Sequence, residues 1–302
     1  MNLKKTMCFL AAAFLLVDVF LLVLCVRTRS AKLYLSDAML EDAASYLESC
    51  GVSVEPEVIH KKIPDNPVYT FRKDNVTLAY GAASRLSTLY FSDAPVSFAE
   101  TPDGVSYTIG ETGVPQASFR VYQDSFHLEY VRTGFQKKLM PDGSGDAFTS
   151  KDVTLTRSEK RTLSSFLEAL SASKGTGDSY SVCGVIRNDN GALVCVSQNV
   201  YGDHRISDMY FNLFLTDNGV EYATGSRVLA SFVRSYGERL IDGVNALYSI
   251  NLSEVSRILS QNIVYENRSL GNGIYYLIPR WEIVYLDHTS VERTQYMDAL
   301  KK

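Results

Sequence analysis

The chain has 302 residues and a formal net charge of −4, from 30 basic and 34 acidic residues. That length is enough for one large domain or two smaller lobes, and the absence of a long basic run argues against a nucleic-acid partner. Five cysteines with no Cys-x-x-Cys exclude the dense disulfide framework of small secreted folds, while 19 Tyr, 14 Phe and many Val, Ser and Thr suit half-buried antiparallel sheets.

Residues 1–6 form a short tail carrying Lys4 and Lys5. Residues 7–26 then read as an almost unbroken apolar run, bounded beyond by Arg27 and Arg29. Twenty residues at roughly 1.5 Å per residue make about 30 Å of helix, the thickness of a bilayer's hydrocarbon core. The run exceeds the roughly 7–15 apolar residues of a signal peptide. It also ends in Cys-Val-Arg-Thr-Arg-Ser, without an Ala-x-Ala-like cleavage site. An uncleaved transmembrane anchor is the expectation.

The run contains one charge, Asp18. A central Asp costs roughly 2.5–3.5 kcal/mol on insertion scales, and thirteen Leu, Phe and Val at about 0.4 each return roughly 5 kcal/mol. The helix can therefore insert despite Asp18. Intramembrane acids tend to face protein rather than lipid. Ala11, Asp18 and Cys25 recur every seven residues and share one helix face, on which small side chains permit close approach by a second helix. These three are the expected transmembrane partner contact. Basic residues are nearly balanced across the span, and a long domain translocates largely regardless of charge. The expected arrangement is a cell-membrane protein with a cytoplasmic tail and an extracytoplasmic main domain.

Beyond the span, residues 31–51 show helical periodicity through Leu33, Leu40, Ala44 and Leu47, with Gly51 as the stop. This helix is open to direct continuation from the span. Residues 52–59 alternate as a strand does, and Pro64 and Pro67 mark a loop. A strand is expected at 76–80 and a short helix at 82–90. Residues 96–99, 105–109, 117–122 and 126–132 then read as an antiparallel meander, with turns at Pro102-Asp-Gly, Gly113-Val-Pro and Gln123-Asp124. Residues 136–152, with Pro141-Asp-Gly-Ser-Gly-Asp, read as a linker.

A second helix is announced by Thr156-Arg-Ser-Glu159, a capping-box pattern, and by the stripe Leu163, Phe166, Leu167 and Leu170. Two hairpins follow, 180–187 with 192–200 and 209–216 with 220–225, each turning at an Asn-Gly. Residues 228–240 and 242–249 have mixed helical character, and 253–260 reads as a short helix. Strands are expected at 262–266 and 273–286, the latter with an edge or bulge at Pro279. The fold class is therefore α+β: a transmembrane helix, then two lobes over 31–135 and 153–302, each of mainly antiparallel sheet with packing helices.

Little of this pattern points to catalysis. His60, His127, His204 and His288 show no metal-ligand spacing with one another, with Cys or with acids. Ser171-Ala-Ser-Lys174 matches a Ser-x-x-Lys pattern but lacks the accompanying Ser-Asp-Asn and Lys-Thr-Gly. No phosphate loop, nucleophile elbow or calcium loop occurs. No catalytic residue, cofactor or metal is expected. Cys183 and Cys195 flank the turn Asn188-Asp-Asn-Gly191. A three-residue loop centred on Asp189 would set them opposite each other, and a shift of one residue would not. Two reduced core cysteines are the expectation.

Several features together resemble the YycH/YycI family of membrane-anchored regulators, YycI more closely. They are the lysine-bearing tail with Asp18 inside the span, the helix ending at Gly51 with Ile63-Pro64 soon after, Asn262-Ile-Val-Tyr-Glu266 followed by Tyr276-Leu-Ile-Pro279-Arg-Trp281-Glu-Ile283, and Tyr296-Met-Asp-Ala299 near the end. The family's usual Gly after that Ala is absent. The resemblance implies an α+β extracytoplasmic domain that regulates the sensor histidine kinase of a cell-wall-controlling two-component system, together with a related YycH-like regulator. It implies contact through transmembrane helices and no catalytic residues. The alternatives are an anchored binding module for a cell-wall or small-molecule ligand, which requires an apolar pocket, and an anchored enzyme, which requires a cleft of clustered acids or a His–carboxylate pair.

Overall fold

The structure, a computed structural model, describes residues 15–21, 34–64, 66–72, 75–123, 125–141, 154–171, 179–200, 204–228, 232–236, 240–271 and 273–300. The chain divides into two compact units. A central unit comprises 67–237 and 264–279, and a terminal unit comprises the residues up to 66, 238–263 and 280–302. This differs from two consecutive lobes over 31–135 and 153–302. Two long strands, β11 (Val255–Gly271) and β12 (Ile274–Asp287), each contribute to both units, so the division is not linear in sequence. Of the expected linker 136–152, the described residues 136–141 belong to the central unit.

The central unit repeats one pattern twice. Helix α2 (Asn75–Tyr90) precedes the meander β2 (Val96–Thr101), β3 (Gly104–Glu111), β4 (Val114–Tyr122) and β5 (His127–Arg132). Helix α3 (Arg157–Leu170) precedes β6 (Ser179–Asn188), β7 (Gly191–Val200), β8 (His204–Thr216) and β9 (Gly219–Ser226). The meanders join where β5 pairs antiparallel with β9, Tyr130 opposite Ala223. One sheet face is apolar in strict alternation, for example Val105, Tyr107 and Ile109 on β3 and Ala192, Val194 and Val196 on β7. Against it pack Ala79, Ala82, Ala83 and Leu86 of α2 and Leu163, Phe166, Leu167 and Leu170 of α3. Burying a side chain such as Phe166 stabilises by about 1.5–3 kcal/mol over leaving it in water. Also in this unit, β1 (Val68–Arg72) pairs antiparallel with both β10 (Phe232–Tyr236) and β12. One parallel contact, Tyr265 with Ile206, links β11 to β8.

The terminal unit packs α1 (Asp37–Ser49) and α4 (Gly243–Tyr248) on the β11 and β12 segments that belong to it, through Leu40, Ala43, Leu47, Val244 and Leu247 against Val255, Ile258, Ile283 and Tyr285. Strand β13 (Glu292–Asp298) pairs with β12. Trp281 is fully buried there, and its indole N–H donates to the Ile241 carbonyl at 3.2 Å. The register of β12 with β1 ends at Leu277 and that with β13 begins at Arg280, so Pro279 falls where neither strand needs its missing N–H.

The α+β class and the antiparallel-rich sheet agree with the sequence reading; several elements do not. Residues 76–80 belong to helix α2, not a strand. Residues 52–59 form no strand: Ser53 makes an isolated bridge to Arg257, and Pro56–Val58 is a 3-10 turn begun by Pro56. Residues 228–240 contain strand β10, and 253–260 is mostly the start of β11 rather than a helix. Helix α1 does not continue from the span, because Ser36 caps it, its hydroxyl accepting from the Met39 N–H at 3.3 Å. Among the described residues no helix is long and apolar enough to cross a membrane; of the expected span 7–26, only 15–21 are described.

Candidate functional site

Of the expected transmembrane contact, Asp18 lies on the helical stretch 15–21 and is exposed. Ala11 and Cys25 lie outside the described residues. The six apolar neighbours of Asp18, from Leu15 to Leu21, are each more than half exposed, from 51% at Val19 to 69% at Leu16. An α-helix apolar on every side is normally covered, either by a protein core or by lipid.

A second feature was not legible in the sequence: a cavity of about 530 Å³ between α3 and the β6–β7 hairpin of the central unit. It falls within the roughly 300–1,000 Å³ of small-molecule sites. Its position follows from the capping of α3. The Thr156 hydroxyl accepts from the Glu159 N–H at 3.2 Å, and the Glu159 carboxylate accepts from the Thr156 N–H at 2.7 Å, so the helix starts where the sequence predicted. Leu163 and Leu167 then face Val182 and Val196 as apolar walls, while Lys160, Ser164 and Glu168 bring polarity from the same helix. Ser179 also lines the cavity, and its hydroxyl oxygen is buried with no hydrogen-bond partner among the described residues. Such an oxygen can take a hydrogen bond from water or from a bound polar group.

Two arginines gather where α3 ends. Arg85 donates to the carbonyls of Ala169 at 2.8 Å and Ser171 at 2.6 Å, matching a cation to the negative helix terminus. Arg227, 1% exposed, places its guanidinium 4.9 Å from the ring centre of Tyr180 and donates to the Ser171 hydroxyl at 3.4 Å. Burial, and secondarily the nearby Arg227 charge, lower the pKa of Arg85. Ser171, the first residue of the Ser-x-x-Lys pattern, is the C-cap of α3, and its hydroxyl donates to the Leu167 carbonyl. That is a capping role rather than a nucleophile's.

The histidines are dispersed. The His60 ring meets Trp281 edge-on at 5.4 Å, His127 Nε2 lies 3.1 Å from the Thr224 hydroxyl, and His288 Nε2 lies 3.0 Å from the Ser253 carbonyl. Burial, partly offset by Glu129, lowers the pKa of His127. Among the described residues no three His, Cys, Asp or Glu side chains stand close enough to hold a metal ion.

The cavity beside α3 offers mainly apolar walls with a few polar side chains among them, a lining suited to a small apolar group with a polar end. No family model matches the chain, and no curated protein matches it. Among solved structures it is similar to an uncharacterized protein from Eubacterium rectale ATCC 33656, at 11% identity over 83% of this chain and 89% of that one, with a TM-score of 0.49. It is also similar to the C-terminal domain of Bacillus megaterium YpeB, at 12% identity over 75% of this chain and 99% of that one, with a TM-score of 0.38. Neither likeness bears on function.

Proposed function

We propose that the chain is a membrane-anchored, non-catalytic regulator of a sensor histidine kinase, acting through its transmembrane helix and through extracytoplasmic protein contacts. The observation that carries this reading is the helix 15–21, whose apolar side chains stand exposed on every side around one acid, Asp18. Lipid covers such a surface, and a partner helix relieves the cost of the acid. The resemblance to YycH/YycI supplies the kinase and the YycH-like co-regulator as partners. A surface for the external contact is available on the terminal unit. There Met39 and Tyr46 lie seven residues apart on α1, each about half exposed, and Tyr46 meets the exposed Tyr248 edge-on at 5.1 Å.

The test replaces residues 7–26 with a polyleucine span that still anchors the domain. Kinase output in the source organism should then shift as it does when the whole chain is deleted. Unchanged output in the polyleucine strain, with a clear effect of deletion, would sink the reading.

A second reading, an anchored binding module, is favoured by the cavity between α3 and the β6–β7 hairpin. It predicts that an apolar ligand raises the melting temperature of the native protein, and that Leu167→Trp, which fills the cavity, removes that rise. No rise with any member of a panel of fatty acids and cell-wall lipid fragments would count against it.

A further inference from the structure

We infer that Cys183 and Cys195 form a reactive cross-strand dithiol, with Cys183 as the attacking thiol and Cys195 as the resolving one, which closes reversibly to a disulfide. The basis is the register of the β6–β7 hairpin. Its turn has two residues, with Asn188 opposite Gly191, and the Asn188 side-chain oxygen accepts from the N–H groups of Asn190 and Gly191. Continued without a break, that register would place Cys183 opposite Val196 and on the wrong face. A β-bulge intervenes: Gly184 pairs with Cys195 and Val182 with Val196, so Cys183 is the extra residue.

The bulge brings the two thiols to one side of the sheet. Val194 and Val196 point into the helix-covered core, and so does Val185. Cys195, between the two valines on its strand, points to the opposite face. Gly184, directly across from Cys195, has no side chain and leaves the space over it to Cys183. The two side chains lie close enough for the Cys195 thiol to hydrogen-bond to Cys183. Neither cysteine is in a disulfide in the structure.

Their surroundings divide the labour. Cys195 is fully buried, whereas Cys183 is partly exposed, so an external reagent meets Cys183 first. Hydrogen bonding from Cys195, joined by Ser197 and the positive Arg205, outweighs the opposing effect of burial and lowers the Cys183 thiol below its ordinary value. Arg205 is held in place by donating to the Tyr210 hydroxyl at 2.7 Å. A thiolate beside a second thiol is the arrangement that completes thiol–disulfide exchange.

With a low-molecular-weight disulfide RSSR, the Cys183 thiolate attacks one sulfur and expels RS⁻, which takes up a proton. Cys195 then loses its proton and attacks the Cys183 sulfur of the mixed disulfide, releasing the second RSH. Two S–H bonds are lost and one S–S bond forms, and the two electrons reduce RSSR to two RSH.

The test treats the full-length native protein with oxidised glutathione, quenches it with acid and digests it with trypsin. Cleavage after Lys174, Arg187 and Arg205 puts Cys183 in peptide 175–187 and Cys195 in peptide 188–205. The expected product is these two peptides joined, lighter by two hydrogens than their sum and separated by dithiothreitol. Cys195→Ser should instead leave glutathione on Cys183, and Cys183→Ser should leave Cys195 unmodified. Three results would overturn the inference: unjoined peptides in the wild type after complete reaction, a lasting glutathione adduct on wild-type Cys183, or preferential joining of either peptide to the one holding Cys50. The wild-type result decides even if a variant fails to fold.

Discussion

Glu159 and Arg187 join the start of α3 to the end of β6 through a single carboxylate. The guanidinium of Arg187 donates to both oxygens of Glu159, at 2.5 and 2.8 Å, and also to the Thr154 carbonyl at 2.8 Å. The same carboxylate accepts the Thr156 N–H that closes the capping box. One acid thus sets where the helix starts and how the edge strand meets it, which in turn positions the cavity between them.

Two substitutions separate these roles. Thr156→Ala removes the cap and should cost about 1 kcal/mol. Glu159→Gln keeps a side chain able to complete the box but loses the charge pair, and should cost about 1 kcal/mol, in keeping with a partly exposed fork. Because both act on Glu159, the double variant should fall short of the sum in urea denaturation.

The pair also gives the central unit a pH dependence. The hydrogen bonds from Arg187, with lesser help from Thr156, hold Glu159 at about 2 against an ordinary 4.5. A lowered carboxylate contributes stability that is present above its unfolded value and is lost as the pH falls through its folded one. Melting temperature should therefore decline between about pH 5 and pH 2, and the slope should be shallower in Glu159→Gln. Equal slopes in the two proteins would contradict this assignment.

Gln198 is 1% exposed and uses both ends of its amide on one residue, accepting from the Val228 N–H at 2.9 Å and donating to the Val228 carbonyl at 3.1 Å. Gln198→Leu preserves size but strands both backbone groups, so it should cost about 2–4 kcal/mol by chemical denaturation. Gln198→Glu retains only the acceptor and should also destabilise.

At Gly225 the limit is space. A Cβ there would lie 2.2 Å from the Tyr210 carbonyl oxygen and 2.7 Å from the Phe211 Cα, both backbone atoms of β8. Gly225→Ala should force the β8–β9 pairing apart and cost at least about 2 kcal/mol. Gly113, with nothing within 4 Å of its added Cβ, is the comparison; its φ of +97° makes Ala strained there too, but without the clash.

Local signals in the sequence located much of the central unit. The capping box, the Asn-Gly turns and the alternating strands of both meanders all report on neighbours within a few residues. Helix α2 was only half visible, because its buried stripe is Ala79, Ala82, Ala83 and Leu86, whose small side chains mute the hydropathy pattern. The start of β11 imitated a helix because Val255 and Ile258 are both buried at a spacing of three. Strand β1 is five residues long and its partners lie far away in sequence. The cavity is assembled from residues as distant as Leu155 and Val196, and no local pattern records that. The cysteine pair turned on a single residue of register, which the bulge at Cys183 decided.

Under the proposed function, Asp18 faces a partner helix in the membrane. The most direct measurement places a photoreactive amino acid at positions 16, 18 and 20 of the full-length chain, irradiates intact cells and identifies the captured protein by mass spectrometry. A sensor histidine kinase or a second single-pass regulator should be captured from position 18, joined through its own transmembrane segment, with weaker capture from positions 16 and 20 on the opposite side of the helix. Capture of lipid alone from all three positions, or equal capture around the helix, would contradict it.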